Sequence, residues 1–251
     1  MRSSIAAFVV TIAALSLSAE PACPAAWGYG PESGPDRWGQ MDKAWAPCDI
    51  GKRQSPLDIV DAVSGTGLPD LVPRYGSFPI AVQNTGSEIK VWPLAASALQ
   101  VGTERATLKE FHFHVPSEHR IDGKDADAEL HIVHELPNKM NVAVAVLINE
   151  TILANPNLQP IVDVAPQNAC TSAKADNYAG LTSLLPANLR SYFTYEGSLT
   201  TPACDETVTW FVLVEHITAS ADQLERLSVV SESTGNARPP QPKGVRVIKR
   251  R

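Results

Sequence analysis

The chain has no Cys-x-x-Cys pair and no visible internal repeat, and nothing in it is apolar for the roughly 20 residues that a bilayer-spanning helix needs. The first absence sets aside thiolate metal fingers and thioredoxin-like chemistry, so any metal site must be built from histidine and carboxylate. The last sets aside a transmembrane span. There is no basic surplus either: 27 acidic residues against 21 basic ones give a net charge of −6, and no Lys/Arg-rich face stands out, which argues against nucleic acid as a partner. The one basic run, residues 246–251 with Lys243 before it, reads as a solvated C-terminal tail.

What is present describes a folded, globular protein. In 251 residues, 44% are hydrophobic and 19% charged, a balance that excludes disorder, collagen and coiled coil and allows one large domain. Arg2, an apolar run over 5–17, and small residues at Ser16, Ser18 and Ala19 have the form of a secretory signal, residues 1–19, placing the mature protein in the periplasm or outside the cell. Glu20-Pro21-Ala22 fits a lipid anchor at Cys23 badly. Four cysteines, Cys23, Cys48, Cys170 and Cys204, are an even number in an oxidising compartment; disulfides are expected, and three pairings are open.

Twenty prolines and 15 glycines without a period indicate many turns and short elements. Segments 89–92, 110–115, 128–136, 142–148 and 207–214 are rich in Val, Ile, Phe, Trp or Thr and read as strands. Ser220-Ala221-Asp222-Gln223 has the form of a capping box, so a helix begins there. The expectation is one mostly-β domain over 26–245 with short peripheral helices.

The six histidines carry the chemistry. In Phe111-His112-Phe113-His114-Val115 the alternation puts both imidazoles on one strand face and the apolar residues on the other. In Glu129-Leu130-His131-Ile132-Val133-His134, His131 shares a face with Glu129 and Val133, while His134 points away. If the two strands are neighbours, His131 completes a three-nitrogen site, and Glu129 is placed to accept that ring's other N–H. Three neutral nitrogens leave a tetrahedral zinc with an open position, the arrangement of a catalytic centre.

These residues stand among strings that resemble the α-class carbonic anhydrases in their bacterial, exported form. They include Trp27-Gly28-Tyr29, Gln54-Ser55-Pro56-Leu57-Asp58-Ile59, Asn84-Thr85-Gly86, Pro116-Ser117-Glu118-His119, Gly197-Ser198-Leu199-Thr200-Thr201-Pro202, Val208-Thr209-Trp210, Asn236 and Arg238-Pro239. The resemblance implies a central twisted, largely antiparallel sheet with zinc at the base of a conical cleft, and reversible hydration of carbon dioxide. It implies His112, His114 and His131 as zinc ligands, and Thr200 as the residue that accepts a hydrogen bond from zinc-bound hydroxide and donates its own to Glu118. It implies further that Thr200, Thr201, Val133, Val144, Leu199, Val208 and Trp210 form the substrate pocket. His119, His134 and His216 are expected to be buried polar groups or remote from the zinc.

Several positions depart from the family's pattern. The fast members' proton-shuttling histidine is Ser87 here, leaving water chains or a carboxylate near the rim such as Glu88 to carry protons out. A usual glutamine is Glu110, at i−2 from His112, where it accepts that ring's second N–H. Ala126 and Ala203 also differ from the usual residues. The relatives imply a Cys48–Cys204 disulfide; Cys23 and Cys170, without counterparts in the family core, are left to pair. A catalytically silent binding protein would lack a ligand histidine, and all three are present; ester cleavage by the same site would be a side activity.

Overall fold

The computed structural model describes residues 27–228 and 235–251. The expected signal at 1–19 and Cys23 lie outside them. Among the described residues, thirteen strands join in one sheet. Its middle runs, in spatial order, Phe78–Asn84, Ile89–Pro93, Glu104–His114, Ala128–Glu135, Asn141–Thr151, Val208–Leu213, Tyr192–Gly197. Neighbours along this path are antiparallel except Asn141–Thr151 with Val208–Leu213, which are parallel. All five expected strands are present. Ser220 caps the helix Ala221–Leu227, its side chain accepting from the Gln223 N–H while Gln223 reaches back.

Alternation along these strands divides the apolar residues between the sheet's two faces. Phe111, Phe113, Leu130, Ile132, Val142, Val144, Val146 and Ile148 join the larger core cluster. Ala143, Ala145, Val208, Trp210 and Val212 join a smaller cluster with Leu57, Ile59 and Tyr195. A third cluster sets Cys48 and Cys204 beside Tyr29 and Trp38. The Cys48–Cys204 disulfide is formed. Cys170 is also disulfide-bonded; the expected Cys23–Cys170 pairing involves Cys23 and so lies outside the described residues.

The C-terminal segment is not a solvated tail. Lys249–Arg250 pairs with Phe193 and Thr194 on one side and Val63 and Ser64 on the other, and Ile248 is fully buried. Arg246 donates to the carbonyls of Gln54, Pro242 and Lys243. Its charge is spent on backbone acceptors inside the fold, which the composition of 246–251 alone does not distinguish from solvation.

Candidate metal centre

Sheet register brings the histidines together. Glu104–His114 and Ala128–Glu135 are neighbours, with His112 opposite His131 and His114 opposite Glu129, so a period of two turns all three rings to one face. The ring nitrogens lie within 4.8 Å of one another and all three residues are buried. Each ring is held by its outer nitrogen. His112 Nδ1 meets Glu110 at 2.8 Å, His114 Nδ1 meets the Asn236 carbonyl at 2.8 Å, and His131 Nε2 meets Glu129 at 2.8 Å. With those nitrogens carrying the protons, the lone pairs of His112 Nε2, His114 Nε2 and His131 Nδ1 face inward. His114 Nε2 has no hydrogen-bond partner, and His112 Nε2 and His131 Nδ1 stand 3.2 Å apart. A buried donor set with nothing to donate to is what a metal cation fits.

Electrostatics favour neutral rings at two of the three positions. Burial pushes His131 down to about 4, and burial with the two neighbouring imidazoles lowers His114 well below the usual range. At His112 burial also lowers the pKa, but Glu110 and Glu88 outweigh it and the net direction is up. Burial alone would raise Glu129, yet His119 and His131 hold it well below the carboxylate range. It accepts from the backbone N–H groups of Glu118 and His119 as well as from both rings. His119 continues the network to the Tyr195 hydroxyl at 2.7 Å, a buried polar support as expected. His134 points into the opposite face, against Tyr75, and His216 lies exposed beside Asn149.

Thr200 and Thr201 sit in the loop after Tyr192–Gly197. That loop is fixed by Leu199 N–H donating to the Asp205 carbonyl, Cys204 N–H to the Thr201 carbonyl, and Gln54 Nε2 to the Cys204 carbonyl. The Thr200 hydroxyl faces the Glu118 carboxylate and favours its ionised form, as does the Arg238 backbone N–H at 2.8 Å; burial and Glu129 act more strongly and raise Glu118 well above its usual range. Glu118 Oε2 is buried without a hydrogen bond.

A cavity of about 200 Å³ opens beside the rings, lined by Val133, Ala143, Leu199, Thr200, Thr201, Pro202 and Trp210 with His112, His131, Glu110 and Lys90. The wall position expected at Val144 belongs to Ala143. Ala143 pairs with Val133, whereas Val144 pairs with Ile132 in the core, and a one-residue slip on a strand exchanges the faces. Val208 shares Trp210's face but pairs with Asn141 and Gly197 at the strand's start and does not line the cavity. Ser87 is 4% exposed, its hydroxyl donating to the Trp27 carbonyl at 3.3 Å. Glu88 is not at the rim: it is 2% exposed and ion-paired with Lys90 at 2.6 Å.

Two residues carry structural duties that their sequence strings alone did not assign. Asn236 holds His114 through its carbonyl, and its side chain links Val115, Phe113 and Ser87. Arg238 donates to Gln54, Ser55 and the Cys48 carbonyl while its guanidinium lies 5.6 Å from the Trp38 ring. Main-chain acceptors more than a hundred residues from their donors leave no local pattern to read.

Fold and site together define a mostly-β protein, built on one large sheet, of the class that can hold one metal ion on three histidines beside a small apolar cavity. The family model of eukaryotic-type carbonic anhydrases matches residues 33–251. A carbonic anhydrase of Neisseria gonorrhoeae is 38% identical over 88% of this chain and 86% of its own length. One of Nostoc sp. is 37% identical over 88% of this chain and 84% of its own. The α-carbonic anhydrase of Thermovibrio ammonificans, solved with the inhibitor sulfanilamide, superposes with a TM-score of 0.84 at 37% identity over 90% of this chain and 99% of that one. The chain belongs to the eukaryotic-type, or alpha, carbonic anhydrase family and is an enzyme of that class, with hydration of carbon dioxide as its general reaction.

Proposed function

We propose that the protein is a zinc-dependent carbonic anhydrase exported from the cytoplasm, with His112, His114 and His131 as the protein's three zinc ligands. The observation that carries this reading is the inward orientation of three buried ring nitrogens whose outer partners are all hydrogen-bonded, with His114 Nε2 unpartnered. Bound there, zinc would supply the Lewis acidity that brings the pKa of a bound water down to about 7, an effect for which carbonic anhydrase is itself the standard example.

The rest falls to the chain's own residues. Thr200, whose hydroxyl stands beside the Glu118 carboxyl and favours its ionised form, is the residue we assign to donate its proton to Glu118 once that group is ionised, leaving only lone pairs for whatever occupies the cavity. That selects a nucleophile carrying a proton and orients its remaining lone pair. Val133, Ala143, Leu199 and Trp210 offer a small, apolar wall that suits an uncharged linear substrate such as carbon dioxide and leaves little room for a bulky ester. Glu129 and the Asn236 carbonyl keep His131 and His114 in the tautomers the site needs.

Export is supported by the signal-like N-terminus and the Cys48–Cys204 disulfide. No helix among the described residues is long and apolar enough to cross a membrane. The test is His114→Ala: zinc content by elemental analysis should fall from one per chain to near zero, and stopped-flow hydration of carbon dioxide should fall with it. A variant that keeps both would exclude the three-histidine centre.

A further inference from the structure

Glu88 faces the same space as the three rings. It directly precedes Ile89–Pro93, the strand whose Lys90 pairs with His112, so Glu88 and Lys90 lie on the ring-bearing side of the sheet. Its two oxygens have different surroundings. Oε1 meets Lys90 Nζ at 2.6 Å; Oε2 is 3.7 Å from His112 Nε2 and has no hydrogen-bond partner. Since His112 Nδ1 is engaged by Glu110, Nε2 is the atom that faces the centre, and Glu88 Oε2 borders that position.

A carboxylate oxygen buried without a partner is unfavourable unless a positive charge stands near it. Lys90 occupies the other oxygen. Along the rim of the rings, Glu110 and Glu129 already accept the outer N–H groups of His112 and His131, so Glu88 is a third anion directed at the same few ångströms. We propose that Glu88 is a positioning residue of the metal centre: clamped by Lys90, it holds a carboxylate oxygen toward the position the three histidines surround, tightening the hold on a divalent cation and weakening that on small anions competing for the open position. This rests on the three-histidine reading above and adds to it a residue whose effect is electrostatic.

The experiment uses the full chain, stripped of metal with a chelator, as wild type, Glu88→Gln and Glu88→Asp. Zinc affinity is read by competition with a chromophoric chelator, and azide affinity by the visible spectrum of the cobalt(II)-loaded protein. The expected result for Glu88→Gln is zinc bound roughly 10- to 100-fold more weakly, the range seen when groups supporting metal ligands are lost, together with azide bound roughly 3- to 10-fold more tightly. Glu88→Asp, which keeps the charge, should stay within about 3-fold of wild type on both. A merely structural role would weaken both affinities together or restore neither with aspartate, and either result overturns the proposal. Zinc affinity of Glu88→Gln within 2-fold of wild type also overturns it while leaving the three-histidine site standing; a wild type that binds no zinc overturns both.

Discussion

Replacing Cys48 and Cys204 together by alanine removes a crosslink between residues separated by 156 positions. In the chain-entropy description a loop of that length restrains the unfolded chain by about 5 kcal/mol. Little of the native network goes with it, because Arg238 and Gln54 reach the main-chain carbonyls of these two residues, which alanine keeps. The loss of stability should therefore be close to the loop-closure value, about 4 to 5 kcal/mol, or roughly 10–20 °C in Tm for a chain of this size. Thr200's loop retains its Leu199–Asp205, Cys204–Thr201 and Gln54–Cys204 hydrogen bonds, so at 25 °C kcat/KM should fall only a few-fold. Urea unfolding of the oxidised wild type and the double variant, with hydration assayed on both, checks the two halves separately. A stability difference below about 1 kcal/mol would refute the loop-closure reasoning. A collapse of kcat/KM in a variant that is still folded would show that the disulfide itself, and not the hydrogen bonds, positions the threonine loop.

Acid should unfold the protein in part through His134, which burial pushes down to about 4. The unfolded chain takes up that proton below about 6.5 and the folded one does not until about 4, so stability is full above 6.5 and declines by roughly 3 kcal/mol as pH falls between the two values; His134→Gln should flatten the stability–pH slope by close to one proton there. Ala143→Ile should lower kcat/KM by roughly tenfold or more by filling the cavity wall, whereas Val144→Ile, on the core face, should change Tm and leave kcat/KM within about 2-fold. With Ser87 buried against Trp27 and no histidine lining the cavity besides His112 and His131, kcat measured by stopped flow should rise several-fold with imidazole buffer concentration while kcat/KM stays flat; a high kcat indifferent to buffer would reveal another proton route.

The histidine strand was legible because Phe-His-Phe-His alternates sharply between apolar and polar, so one face was chemically marked. The third ring needed the register between two strands, which the sequence suggests only through the matching face of Glu129, His131 and Val133. At 142–146 the run Val-Ala-Val-Ala-Val is apolar on both faces; no polarity marks which residues line the cavity, and Ala143 forms the wall in place of the expected Val144. The edge strand Thr171–Tyr178, mostly exposed and polar, has no apolar stripe to mark it as a strand. Glu88 is adjacent in sequence to Ser87, the shuttle position, which suggests the rim, but it lies two residues before Lys90 on the strand that pairs with His112 and is turned inward. In the 246–251 segment Arg246 and Arg251 satisfy the distant carbonyls of Gln54 and Pro69, a long-range duty that charge counting cannot distinguish from solvation.

Titration of metal-free protein with zinc, followed by stopped-flow hydration of carbon dioxide, tests the central claim most directly. Activity should be absent without metal, rise linearly, and stop rising at one zinc per chain, with His114→Ala showing no rise over the same range. Full hydration activity in the stripped wild type, or one tightly bound zinc per chain with no hydration, would contradict it.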